Sequence, residues 1–253
     1  KDLTQPLPAP NANSDINRNV YNTGGVIVEG YNIIEFENTK FANLEFGTNT
    51  FSCDSVYIHN STFDSCGIGD YDFASNTILC TDTFTLVKFG SVRDRSLGGR
   101  AFNNIYDRSR ISYSVISSLE QRLRGNIFDE YVIGISAYCS PIRVADVIES
   151  GHGIVYGRNK FLNQTVSGYP NAYNNYLSKE CEYDNFAADI SIGNSCCTLY
   201  MNCGHNTMSV GSKYNLRYTG TGIFTTNVSY NYFPTDPTNT IRTNATFLAT
   251  KTT

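Results

Sequence analysis

Three groups of side chains in this sequence have the types and spacing for chemistry. Asp70 and Asp72, in the run GIGDYDF, are separated by one residue, with Asp82 following. They are the candidates this sequence offers as paired carboxylates. His152, between Gly151 and Gly153, is a side chain that could carry a proton. A bend residue is the competing use for His152. The second group is Cys196, Cys197, Cys203 and His205. Zinc takes such ligands, but the spacing CCxxxxxCxH lacks the short chelate loop of zinc modules, and no metal is expected. The third group is Tyr169, Tyr173, Tyr176 and Tyr183, whose rings could line a sugar-binding face by stacking on pyranose rings. Aromatic packing between coils or chains competes for the same rings. No G-x-S-x-G, P-loop or H-E-x-x-H occurs, and no cofactor is expected.

The elements that would hold these groups repeat. IEFENTKF begins at Ile34 and VYIHNSTF at Val56. Ile34 corresponds to Val56, Phe36 to Ile58, Asn38 to Asn60 and Phe41 to Phe63, each 22 residues on. Another such step reaches Ile78, Cys80 and Asp82, a weaker third copy, and IVYGRNKF from Ile154 keeps Ile154, Tyr156 and Phe161 with its Asn shifted to Asn159. About 22 residues is one coil of a single-chain parallel β-helix, with three short strands and three bends. Two inward residues fill the core, Asn takes the bend in a conformation most residues avoid, and an aromatic ring stacks on its copy in the next coil. Asn side chains at bends can also form amide ladders along the stack.

A shorter period runs through DISIGNSCCTLYMNCGHNTMSVGSKYNLRY, from Asp189 to Tyr218. Written in nines, Ile190, Leu199 and Met208 share one column, and Ile192, Met201 and Val210 another. Nine residues are too few for a full coil, so this pattern predicts a stack whose faces come from several chains, as in a trimeric fibre. An antiparallel meander is the alternative.

The fold class expected is therefore all-β: a right-handed parallel β-helix or solenoid with a trimeric, fibre-like C-terminal part. Residues 1–23, with Pro6, Pro8 and Pro10, read as an extended attachment arm. Residues 24–180 read as the β-helix-like domain, and residues 181–253 as nine-residue repeats with terminal strands. Around 90–130 an irregular insertion is expected. It carries Arg93, Arg95, Arg100, Arg108, Arg110, Arg122 and Arg124, and Ile111, Val115, Leu119 and Leu123 also fit one short helix. Asp94, Asp107, Asp129 and Glu130 would balance the arginines on a solvated face, with an anion-binding site as the sharper alternative.

Bulk composition narrows the partners. The formal charge is −4, with no basic patch to suggest nucleic acid, and no apolar run is long enough to span a membrane. Charged residues are only 17%, whereas apolar and aromatic residues reach 40%, which fits a polar β surface over a real core. The eight cysteines admit free, stacked thiols or disulfides, and Asn60, Asn163, Asn227 and Asn244 fit glycosylation sequons.

Two resemblances follow from these motifs. Ser150-Gly151-His152-Gly153 resembles the SGHG-type motif of polygalacturonases, which implies a secreted β-helix lyase or hydrolase using Asp70, Asp72 and His152, although no distal basic motif follows. The Asn-rich units containing ISIGNS and MSVGSK resemble repeats of bacteriophage fibre and appendage proteins, in particular of gut Bacteroidetes phages. That resemblance implies a non-enzymatic virion protein, trimeric, attached to other virion proteins through the N-terminal arm and capable of host-glycan or receptor binding. A glycosylated, disulfide-bonded surface antigen or adhesin is the third reading.

Overall fold

Inward side chains recur every 21 or 22 residues, and each recurrence closes one coil of a parallel β-solenoid. The computed structural model describes residues 24–144, 159–162, 188–193, 198–200, 206, 216–219, 223–227, 241–243 and 246–250, and among these there is no helix. The first coil is β1 (Val26–Glu29), β2 (Ile33–Glu37) and β3 (Lys40–Ala42). On it lie β4 (Phe46–Phe51), β5 (Ser55–His59) and β6 (Thr62–Asp64), then β7 (Ile68–Phe73), β8 (Asn76–Cys80) and β9 (Thr83–Thr85). Pairing between coils is parallel throughout, with Ile34 opposite Val56, Phe36 opposite Ile58 and Phe41 opposite Phe63, as the 22-residue spacing predicts.

The third copy is displaced by one residue. Coil three is shorter, so Val56 and Ile58 pair with Thr77 and Leu79, and Ile78 faces outward. The expected irregular insertion around 90–130 is instead regular solenoid. It contains β10 (Phe89–Asp94), β11 (Gly98–Phe102), β12 (Ile105–Ile116), β13 (Gln121–Arg124) and β14 (Ile127–Tyr138). β12 and β14 each run through a corner, pairing on the short third face with their first residues and on the first face with their last. β15 (Ile142–Val144) and β16 (Lys160–Phe161) follow on the second and third faces. Farther on, β17 (Ala188–Gly193), β19 (Leu216–Thr219) and β21 (Ile241–Thr243) extend the first face. β18 (Thr198–Tyr200), β20 (Ile223–Asn227) and β22 (Thr246–Thr250) extend the second.

This topology overturns the nine-residue stack. Ile190 pairs with Ile135 and Leu216 on the first face, whereas Leu199 pairs with Ile142 and Thr226 on the second. Nine residues is the step from one face of a coil around a corner to the next, so the period lies within a coil and not between coils. Met208 lies outside the described residues. A single chain thus supplies two of the faces that several chains were expected to share, and the trimeric C-terminal part loses the argument that suggested it.

Each corner places a residue in the left-handed region. After the second face these are Asn38, Asn60, Thr81 and Asn103, with φ between 51° and 60°, then Gly125. After the first face they include Ser52, Ala74 and Ser117, and after the third Asn43, Ser65 and Leu86. Such φ values strain residues with a Cβ, by roughly 1–3 kcal/mol each. The strain persists because the corner N–H groups meet carbonyls of the next coil, as in Asn60 N–H to Cys80 O at 3.1 Å and Thr81 N–H to Phe102 O at 3.0 Å.

Beside the third face runs a file of rings: Phe41, Phe63, Phe84, Tyr106, Phe128 and Phe161, with centroids 4.6–5.2 Å apart and planes within 14° of parallel. Room for it comes from a glycine column on the first face, Gly47, Gly69 and Gly90. A Cβ on Gly69 would lie 2.6 Å from both Phe84 Cδ1 and Gly90 O. A second file is polar. Asn104, Asn126, Asn159 and Asn206 stack, each Oδ1 accepting the backbone N–H of the residue one coil earlier at 2.8–3.2 Å. Their Nδ2 groups donate to Leu79, Ala101, Leu123 and Val144 carbonyls. This is the expected amide ladder, one position beyond the left-handed Asn residues.

Candidate functional site on the second face

The paired acids proved to belong to the interior. Asp70 and Asp72 alternate with outward Tyr71 on β7, and both are fully buried. Asp70 accepts hydrogen bonds from Thr48 Oγ1 at 2.7 Å and Ser91 Oγ at 3.3 Å, and forms an ion pair with buried Arg93 Nη1. Asp72 Oδ2 accepts from Ser96 Oγ at 3.1 Å and lies 3.9 Å from Arg93 Nη1. The Arg93 guanidinium also lies 5.8 Å from the Tyr113 ring centre, and Tyr113 donates to Gln121 Oε1 at 3.2 Å.

Burial pushes the Asp72 carboxyl above its ordinary value; Arg93 offsets this in part and Asp70 adds to it. Burial likewise opposes the charge of Arg93, but Asp70 more than compensates and holds the guanidinium protonated. Among the described residues Arg93 Nε and Nη2 and Asp72 Oδ1 find no hydrogen-bond partner, so this network contributes little net stability while being costly to break. Asp82 is also buried, in the Asn ladder, where its Oδ1 and Oδ2 accept the Ser61 and Cys80 N–H groups. Burial raises it to about 7 against those two hydrogen bonds. All three acids are therefore enclosed within the coils, away from any polymer that could be cleaved. His152, Tyr169, Tyr173, Tyr176, Tyr183, Cys196, Cys197, Cys203 and His205 lie outside the described residues. Cys53, Cys66 and Cys80 are free thiols.

What the solenoid does display is ordered. On the second face, Gly99, Ala101 and their stacked partners Gln121, Leu123, Ile142 and Val144 turn inward, so the residues between them turn outward. The outward file runs Glu35, Tyr57, Ile78, Arg100, Arg122 and Arg143 in successive parallel strands. A second outward file runs Glu37, His59, Cys80, Phe102 and Arg124. The face is therefore acidic in its first rung and cationic in its fourth to sixth.

In the cationic part, Glu120 Oε1 accepts from Arg122 Nε at 2.9 Å, and Glu120 Oε2 accepts from Arg143 Nη2 at 3.2 Å. Burial alone would raise the Glu120 carboxyl, but these two arginines hold it below its ordinary value. Arg124 stacks on Phe102 at 4.7 Å. Arg100 is exposed, and among the described residues no carboxylate pairs with it. The arginines off this face are engaged otherwise: Arg93 is internal, and Arg108 pairs with Asp107 at 2.8 Å. The expected balancing of the arginines thus holds at Arg108 with Asp107 and at Arg95 with Asp94, 3.7 Å away, whereas on the second face Glu120 pairs with Arg122 and Arg143. The sequence signal for this site was the spacing of Arg100, Arg122 and Arg143, which is the coil period itself.

Among the described residues no cluster of His, Cys, Asp or Glu could hold a metal ion, and no helix is long and apolar enough to cross a membrane. Comparison with protein-family models, curated proteins and solved structures finds no match, so the functional reading rests on this geometry.

Proposed function

We propose that the chain is a non-enzymatic structural protein of a virion, a fibre or appendage whose solenoid is a rigid mount for contacts with a host-surface glycan or receptor. The observation that carries this reading is the fate of the carboxylates. The only paired acids that suggested hydrolysis, Asp70 and Asp72, are locked inside the coils by Arg93, Thr48 and Ser96. The described chain instead repeats stacked rings and amide ladders from coil to coil, which suit a rigid rod better than a catalytic cleft.

The first coil supports the same reading. Strands β1–β3 pair with the next coil only, among the described residues, and Ile27, Tyr31 and Ile33 are 61–72% exposed there. An open, apolar first rung suits continuation of the stack by further protein. Homotrimeric assembly is part of the proposal on the resemblance to phage fibres alone, since the nine-residue period no longer argues for it. Sedimentation equilibrium of the intact chain is expected to give three times the chain mass of 28.1 kDa, and a monomer at micromolar concentration overturns the fibre reading.

A further inference from the structure

We infer that the arginine file of the second face, Arg100, Arg122 and Arg143 with Arg124 beside it, binds an acidic polysaccharide laid along the solenoid axis. This adds a ligand class to the structural reading but stands on different residues. A monomeric chain that still bound the polymer would remove the fibre and leave this site intact.

The argument starts from spacing. Arg100, Arg122 and Arg143 are direct partners in adjacent parallel strands, so their Cα atoms advance ~4.8 Å per rung. An extended polyuronate carries one carboxylate per sugar, and in a twofold chain every second one faces the same side, so one face of the polymer repeats over roughly two rungs. Guanidinium groups recognise carboxylates in a planar, two-pronged geometry, and the fixed rungs hold their backbones in place before binding.

Glu120 marks how such a carboxylate would sit. It lies between Arg122 and Arg143 and takes hydrogen bonds from both, at 2.9 Å and 3.2 Å, as a ligand carboxylate would. Glu120 reaches only two of the four cations, and no carboxylate among the described residues reaches Arg100. The side chains remain accessible: Arg122 is 42% and Arg143 33% exposed. The Arg124 guanidinium lies over the Phe102 ring, 4.7 Å from its centre. On the same file Tyr57, 38% exposed, offers a ring on which a sugar can stack beyond the charged rungs.

The occupant is a polysaccharide in preference to a nucleic acid for two reasons. Three of the four cations form a stripe one arginine wide, narrower than the two strands of a duplex, and Tyr57 on the same file offers a ring to a sugar face. The acidic rung at Glu35 and Glu37 confines an anionic polymer to the later coils.

The experiment uses the intact chain and polygalacturonate, with neutral dextran and single-stranded DNA as comparison probes, in titrations across a range of salt. Polygalacturonate is expected to bind with an affinity that falls as salt rises, and dextran not to bind. The variant Arg100→Ser/Arg122→Ser/Arg143→Ser is expected to lose about tenfold or more, while Arg95→Ser/Arg108→Ser on other surfaces stays within about twofold. Glu120→Gln is expected to tighten binding severalfold, because it removes a competing carboxylate from Arg122; a purely structural role for these arginines gives no such gain. The inference is overturned by absent polygalacturonate binding, by equal loss in both arginine variants, by weaker binding in Glu120→Gln, or by single-stranded DNA binding as tightly as the polyuronate.

Discussion

Asp82 gives the sharpest test of the ladder, because it is the one acid in a file continued by Asn104, Asn126, Asn159 and Asn206. Its folded pKa is raised by burial to about 7, whereas an unfolded Asp titrates near 3.9. The folded state therefore holds a proton that the unfolded state releases between these values. Its contribution is fully present below about pH 4 and is lost as pH rises toward 7. Three pKa units correspond to at most about 4 kcal/mol of stability lost across that window.

Asp82→Asn removes the titration and installs the side chain used by the next four rungs. Its Oδ1 can still accept the Ser61 N–H, while its Nδ2 replaces the Oδ2 that accepts the Cys80 N–H and must turn to the carbonyl of Ile58, as Asn104 turns to Leu79. Urea unfolding at pH 4.5 and pH 8 checks this. The variant should gain about 1–3 kcal/mol over the parent at pH 8, the relief of the titration less the lost Cys80 hydrogen bond, and show a smaller difference between the two pH values. Equal stability of the two proteins at pH 8, or a variant less stable at both pH values, would refute the assignment of Asp82 to a buried, proton-holding rung.

Other consequences follow from the interior. Arg93→Met strands the buried Asp70 charge and should cost about 3–5 kcal/mol in chemical denaturation, part of which returns when Asp70→Asn is added. Phe84→Ala opens a gap between rings 4.6 Å and 4.7 Å away and should cost about 3–5 kcal/mol by the same assay. Cys66 is buried, and burial pushes its thiol up to about 11. Peptide mapping after an aromatic disulfide reagent at pH 8 should find Cys66 unmodified in the native chain and modified once urea unfolds it.

Much of the solenoid was legible because parallel stacking copies side chains at a fixed interval. Ile34 and Val56, Phe36 and Ile58, and Phe41 and Phe63 announced the coil length, and they do stack. The reading slipped at Ile78 because the third coil is a residue shorter, which turns every side chain of a strand to the opposite face. It failed at Ile190 and Leu199 because a face and its corner also have a nearly constant length, so a within-coil step imitated a repeat.

The polar interior was harder to foresee. An arginine is normally exposed, and only the fold brings Arg93 against Asp70 from the neighbouring rung. That same misplacement suggested an irregular, solvated segment where β10–β14 run, and left Asp70 and Asp72 as a catalytic pair. Two coil-spaced signals were present in the sequence and went unused: the glycine column Gly47, Gly69 and Gly90, and the file Arg100, Arg122 and Arg143. The first is explained by the rings it makes room for. The second was hidden by the assumption that neighbouring acids neutralise neighbouring bases.

Everything above depends on which residues of successive coils face one another, and cysteine cross-linking reads that directly. In a Cys80→Ser background, Arg100→Cys/Arg122→Cys places two thiols on adjacent rungs whose Cα atoms lie ~4.8 Å apart, within disulfide reach. Arg100→Cys/Arg143→Cys places them two rungs apart, at ~10 Å, beyond it. Mild oxidation of the folded protein followed by peptide mass mapping should find the first disulfide and not the second; failure of the first pair to link, or linkage of the second, would contradict the stacking register.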